Sequence, residues 1–300
     1  MVRWPALAVA TLLVLTGCGD GSSSTAPPAP TVVEGRFRCP DPQTDPARAV
    51  DRGSDALPTG ARAARLCLLD NNDAWSPPTS VLTTRVDDLV DVVNAQRVHH
   101  PEPDTGCGGV GAPAWTMVFR YDHGTRTISG DNGGCWDLVV GGTQRFGSAH
   151  VYDAYLRALV RQRHAEPPPQ AEVTAPSCPH GAYPSASPAA DPRLLVSAVW
   201  CHRAGAGWRR APAMSPAQLA TLRHDIRTSG SRHGPLRLRR CRGLSSSTYG
   251  LLMGRDAWGD LVAVDFSCDY YRLFPPARPR AVFVRMLPSS VAVVAALEHR

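Results

Sequence analysis

The chain predicts an α+β protein in which one cysteine-stapled unit is written twice. Three observations carry this: eight cysteines in two similarly spaced quartets, strand and helix signals recurring in one order, and a proline-rich stretch between the halves. Cys39, Cys67, Cys107 and Cys135 are separated by 28, 40 and 28 positions; Cys178, Cys201, Cys241 and Cys268 by 23, 40 and 27. Cys39-Pro40 matches Cys178-Pro179, and each fourth cysteine lies 11 or 9 residues beyond a glycine, Gly124 or Gly259. These matches place one module at 37–164 and another at 177–300, joined by a proline-rich linker at 165–176.

The order of elements follows from local pattern. Ala64–Cys67 and Ala198–Cys201 are apolar, strand-like segments closing on the second cysteine of each quartet. A helix is expected after each. In the first module Thr83 or Thr84 caps a helix with apolar positions Val86, Leu89, Val90 and Val93. In the second, Ser215-Pro216-Ala217-Gln218 is a capping box with proline at the first helical position, followed by Leu219, Leu222 and Ile226. Next comes a hairpin. Trp115, Met117, Phe119 and Tyr121 alternate with Thr116, Val118 and Arg120, the period of a half-buried strand, before a turn at Asp122-His123-Gly124. Its counterpart runs through Tyr249–Met253, turns at 256–259 and returns through Val262, Val264 and Phe266. A further strand (136–140; 270–274) and a closing helix from near Ser148 or Ser289 complete each antiparallel sheet packed with two helices.

At the N-terminus, Arg3 precedes an apolar run over 6–15 that ends in Leu15-Thr16-Gly17-Cys18. The run is about ten residues, half of what spans a bilayer. This stretch resembles the lipobox of bacterial lipoproteins, here of actinobacterial type. The resemblance implies that 1–17 is a signal peptide, that Cys18 carries the lipid, and that the protein sits on the extracytoplasmic face of the cell membrane. Residues 18–36, rich in Gly, Ser, Ala and Pro, are expected to be a flexible spacer. Export also predicts disulfides. Identical bonding in both modules leaves the three connectivities that four cysteines allow. We take the sequential one, Cys39–Cys67, Cys107–Cys135, Cys178–Cys201 and Cys241–Cys268, each worth roughly 3–4 kcal/mol.

Composition shapes the functional expectation. All 32 basic residues are arginine, the mark of a GC-rich genome rather than a chosen chemistry. Residues 37–164 hold 13 Arg and 15 acids, net −2, whereas 177–300 hold 17 Arg and 7 acids, net +10. Arg237, Arg239, Arg240 and Arg242 cluster around Cys241, and Arg278, Arg280 and Arg285 form a second group. Guanidinium forks match phosphate and carboxylate, so the second module is expected to bind an anionic envelope polymer, lipid headgroup or protein, and no intracellular nucleic acid. Opposite net charges also offer a way to hold the modules together.

Catalytic and metal signals are weak. There is no G-x-S-x-G frame and no CxxC pair. His99-His100, the His150/Asp153 pair, Asp70-Asn71-Asn72-Asp73 and Asp131-Asn132-Gly133-Gly134 each have a simpler role in a turn or ion pair. Asp87, Asp88 and Asp91 suit the solvated face of a helix. The expectation is a binding protein with no catalytic residue, cofactor or metal. The alternatives are an envelope-acting hydrolase with a site assembled from distant residues, and a protease-inhibitor or sensor module presenting 108–113.

Overall fold

The computed structural model describes residues 37–40, 53–68, 76–100, 114–131, 137–169, 172–179, 186–204, 207–229, 249–267, 270–273 and 282–298. They form an α+β structure with two antiparallel sheets and four helices. The first sheet has strands β1 (Ala63–Leu68), β2 (Ala114–Tyr121), β3 (Gly124–Asp131), β4 (Leu138–Val140) and β5 (Thr143–Arg145), in that spatial order. Helix α1 (Val86–Asn94) lies between β1 and β2 in the chain, and α2 (Ser148–Ala165) follows β5. The second sheet holds β6 (Leu195–Ala204), β7 (Gly207–Ala213), β8 (Tyr249–Asp256), β9 (Leu261–Ser267), β10 (Tyr270–Leu273) and β11 (Val282–Arg285). Its spatial order is β11-β10-β9-β8-β6-β7. Helix α3 (Pro216–Ser229) follows β7 and α4 (Pro288–Glu298) follows β11.

Both sheets are wired alike. In the second, β7 flanks β6 on the side away from β8; in the first, Leu82 bridges Ala64 on the side of β1 away from β2. A helix then leads to the central hairpin, β2–β3 or β8–β9, and two further strands step outward.

Side-chain alternation selects the face that each sheet turns to its helices. Ala64, Leu66, Trp115, Met117, Phe119, Ile128 and Leu138 pack with Val86, Leu89, Val90 and Val93 of α1 and Val151, Tyr155 and Leu159 of α2. Ala198, Trp200, Leu252, Val264 and Phe266 pack with Leu219, Leu222 and Ile226 of α3 and Val294 and Leu297 of α4. These include every apolar helix position expected from the periodicity. One indole dominates each core and needs a bare neighbour on the next strand. A Cβ at Gly130 would sit 2.2 Å from the Trp115 ring, and one at Gly250 only 1.8 Å from Trp200, so glycine is required at both.

Several expectations need correction. Strand β2 is buried on both faces from Trp115 to Phe119, not half-buried; Thr116 and Val118, on the face away from the helices, are 0% and 3% exposed. Neither Thr83 nor Thr84 caps α1: Arg85 holds that position in the left-handed region (φ 54°), with no side-chain cap bond. The amide oxygen of Gln162 on α2 instead holds the segment entering the helix, accepting from the backbone N–H of Thr83 (2.7 Å) and Thr84 (3.1 Å) and from the Thr84 hydroxyl. In the second half a whole strand, β7, stands between the second cysteine and its helix. The capping box of α3 is present in both directions: Ser215 N–H donates to the Gln218 side chain (2.9 Å), and Gln218 N–H donates to Ser215 Oγ (3.3 Å).

Candidate functional site

Of the predicted cysteine bridges, Cys39–Cys67 and Cys178–Cys201 are formed, with Cα–Cα distances of 5.5 and 5.7 Å. Cys18, Cys107, Cys135, Cys241 and Cys268 lie outside the described residues, as do Arg237, Arg239, Arg240, Arg242, Arg278 and Arg280. Both observed bridges do the same mechanical work. Each ties an incoming segment to the first strand of its sheet, on the face opposite the helices. In the second sheet that face carries a small apolar cluster of Cys178, Val199, Cys201, Leu251, Met253 and Ala263.

On the first sheet the far face is mixed: Ala63, Cys67, Thr116 and Val118 are buried, and Arg65 and Arg120 stand beside them. The bridge fixes Cys39, and two residues earlier the Phe37 ring sits between guanidiniums from adjacent strands. Arg65 of β1 lies 5.5 Å from the ring centroid and Arg120 of β2 lies 5.1 Å away. Ala63 pairs with Arg120, so Arg65, two residues along, projects from the same face. Arg120 and Arg38 are exposed, and among the described residues none of Arg38, Arg65 and Arg120 pairs with a carboxylate. Neighbouring Arg62 is different: Asp122 neutralises it at 2.9 Å and is itself held below the usual carboxylate range by that hydrogen bond.

Of the histidine and acid candidates, His99 and Asp87 make structural contacts, whereas 70–73 and 132–134 lie outside the described residues. His99 Nδ1 bonds Asp137 Oδ1 at 2.8 Å, both side chains being 19% exposed. The carboxylate accepts in that contact, so the ring donates from Nδ1. The His99 N–H donates to Gln144 O, Phe146 N–H donates to Arg97 O, and the Phe146 ring lies 4.1 Å from the imidazole. The pair thus pins residues 97–99 along the edge of β5. No hydroxyl or thiol bonds the imidazole among the described residues. Asp87 accepts from the N–H groups of Gly60 and Ala61, both at 2.9 Å, and so anchors a loop. His150 and Asp153 share α2 without a bond between them. Among the described residues no three metal-ligating side chains converge, and no helix is long and apolar enough to cross a membrane.

A buried ionic seam that the sequence did not announce joins the two halves. Arg163 of α2 (6% exposed) meets Asp260 of the β8–β9 hairpin (0%) at 2.9 Å. Arg163 also donates to Ala189 O and Ser80 Oγ, and its guanidinium lies 5.2 Å from the Trp258 ring. Asp260 accepts from Thr79 N–H, the Thr79 hydroxyl and the Ser187 hydroxyl. Four residues earlier, buried Asp256 accepts backbone N–H groups from Asp191, Trp258 and Asp260. Burial and the neighbouring Asp260 charge nevertheless push its carboxyl up to about 6. The seam's ion pair runs against the net charges: the cation comes from the acidic half and the anion from the basic half.

Compared with protein-family models, curated proteins and solved structures, the chain matches none.

Proposed function

We propose that this chain is a lipid-anchored envelope protein built from two copies of one disulfide-stapled α+β unit, and that it binds rather than catalyses. The observation that carries the reading is the pair of bridges at equivalent places, because disulfides form and persist chiefly in oxidising compartments. Cys67 faces Thr116 across the first two strands, as Cys201 faces Leu251 across β6 and β8. Counting outward from those pairs, Leu66 corresponds to Trp200, Met117 to Leu252 and Ile128 to Val264, all core positions. The common wiring of the two sheets supports duplication, with modules at 37–164 and 177–300. Export through the lipobox and acylation at Cys18 account for the oxidised state. The second module, net +10, engages an anionic partner through Arg237, Arg239, Arg240 and Arg242.

Two measurements test this. The mass of Cys18 in membrane-extracted protein should show a diacylglyceryl adduct, and Cys18→Ala should release the protein from the membrane fraction. Pull-down on acidic wall polymer should weaken with salt, and weaken further when the four arginines become alanine. Undiminished binding of that quadruple variant would remove the anionic face from the proposal.

A further inference from the structure

We propose that the patch of Arg38, Arg65 and Arg120 grouped around Phe37, on the far side of the first sheet, docks onto anionic phospholipid headgroups. The inference rests on the lipid-anchor reading for its occupant and adds a surface on the module whose net charge gives no hint of it.

Three features select that occupant. The first is construction. The Cys39–Cys67 bridge clamps Phe37 against the sheet, and the guanidiniums at 5.5 and 5.1 Å are held by β1 and β2 rather than by loops. A guanidinium whose face rests on a ring keeps its N–H edge for an anion, and that edge matches a phosphodiester in fork geometry. The second is the missing counter-charge. Arg62 beside them is satisfied by Asp122, whereas Arg38, Arg65 and Arg120 have no acidic partner among the described residues, and the buried Arg65 Nε lacks a hydrogen-bond acceptor among them. The third is position. Phe37 follows Cys18 by 19 residues (37 − 18), and a chain of that length reaches no farther than about 65 Å even when fully extended. The acyl group therefore keeps this patch within that reach of the bilayer, where one contact raises the effective concentration of the other. Each arginine near an anionic surface contributes about five-fold in partition, equivalent to ~1 kcal/mol.

The test uses the mature chain from Cys18 to Arg300 without its acyl groups, sedimented with phosphatidylglycerol-containing vesicles and with pure phosphatidylcholine vesicles. Binding should be confined to the anionic vesicles and fall as salt rises. R65Q/R120Q should partition about twenty-five-fold less, five-fold for each arginine, and R65K/R120K, which keeps the charges but not the forks, should fall between it and the parent. Should R65Q/R120Q lose its native circular dichroism, R38Q/R120Q, with both positions exposed, replaces it and should lose a comparable factor. Equal sedimentation with neutral vesicles, or unchanged partition of the glutamine variants, would overturn the proposal. So would displacement by inorganic phosphate at concentrations below those of the lipid phosphate, which would mark a soluble-anion site. Mass analysis of native Cys18 separates the two readings: an unacylated Cys18 with intact headgroup binding sinks the anchor alone, and an acylated Cys18 without headgroup preference sinks the surface alone.

Discussion

Replacing Arg163 by methionine removes the cation that faces Asp260 while keeping most of the side-chain volume against Trp258. Asp260 is fully buried and retains three donors, from the Thr79 N–H, Thr79 hydroxyl and Ser187 hydroxyl. Breaking a buried ion pair from one side costs about 3–5 kcal/mol. The surviving donors place this case at the lower end, about 3 kcal/mol, with the orphaned Ala189 carbonyl adding to it. In urea, with a slope of about 2–3 kcal/mol/M, the transition should move down by about 1–1.5 M. The contact joins the two halves, so the variant should also lose cooperativity, with tryptophan fluorescence and far-ultraviolet circular dichroism ceasing to coincide. Pairing R163M with D260N in a double-mutant cycle isolates the interaction, because the asparagine keeps an acceptor for Thr79 while removing the charge. A midpoint shift below about 0.3 M, or additive single-mutant effects, would show that the seam contributes nothing specific.

Other perturbations follow from the same contacts. Folding raises the Asp256 pKa from 3.8 to about 6, so the folded state binds its proton more tightly than the unfolded chain. This group's contribution is therefore most favourable below about pH 4 and is lost as pH rises through 6, by about 3 kcal/mol. The difference in stability between pH 4.5 and pH 7 should shrink in D256N, and an unchanged difference would refute the assignment. Gly250→Ala should cost at least about 1–3 kcal/mol, the range for overpacking, because the Trp200 ring it meets is held edge-on against Phe266 at 4.9 Å. A melting temperature within a degree or two of the parent would contradict that. Ser215→Ala should remove about 1 kcal/mol by opening the capping box of α3, and glycine at the same position should cost less, as thermal unfolding will show.

What the sequence disclosed and what it withheld divide along physical lines. The Ser215–Gln218 box, the four apolar positions of α1 and the alternation of β2 are local, set by residues within a turn or a pleat of one another, and each predicts its element. Strand β7 escaped because Gly-Trp-Arg-Arg-Ala-Pro-Ala carries neither alternation nor a β-branched residue; pairing with β6 makes it a strand. Gln162 gives no hint in sequence that it serves the start of a helix nearly 80 residues earlier, since its partners are brought to it only by packing of α2 against α1. The same holds for Arg163 and Asp260. Charge counting pointed to Arg237–Arg242, which lie outside the described residues. It passed over Arg65 and Arg120, whose prominence depends on Phe37 and on the lack of a carboxylate partner among the described residues.

The two indoles show how a duplicated unit would drift while keeping its core. On the duplication reading Trp115 corresponds to Gly250 and Leu66 to Trp200, so the large ring has moved from β2 in one sheet to β6, the counterpart of β1, in the other. The glycine has moved with it. Gly130 beneath Trp115 lies on β3, and Gly250 beneath Trp200 lies on β8, each one strand farther along the sheet from its ring. What stays constant is the sum of one ring and one void per core, because close packing constrains volume and not the residue that supplies it. If the halves share one ancestor, the two changes are coupled. In the first sheet, Trp115→Gly combined with Leu66→Trp would carry the ring to the second sheet's position, and this pair should retain more stability than Trp115→Gly alone. A double variant no better than that single one in urea unfolding would argue that the two cores arose independently.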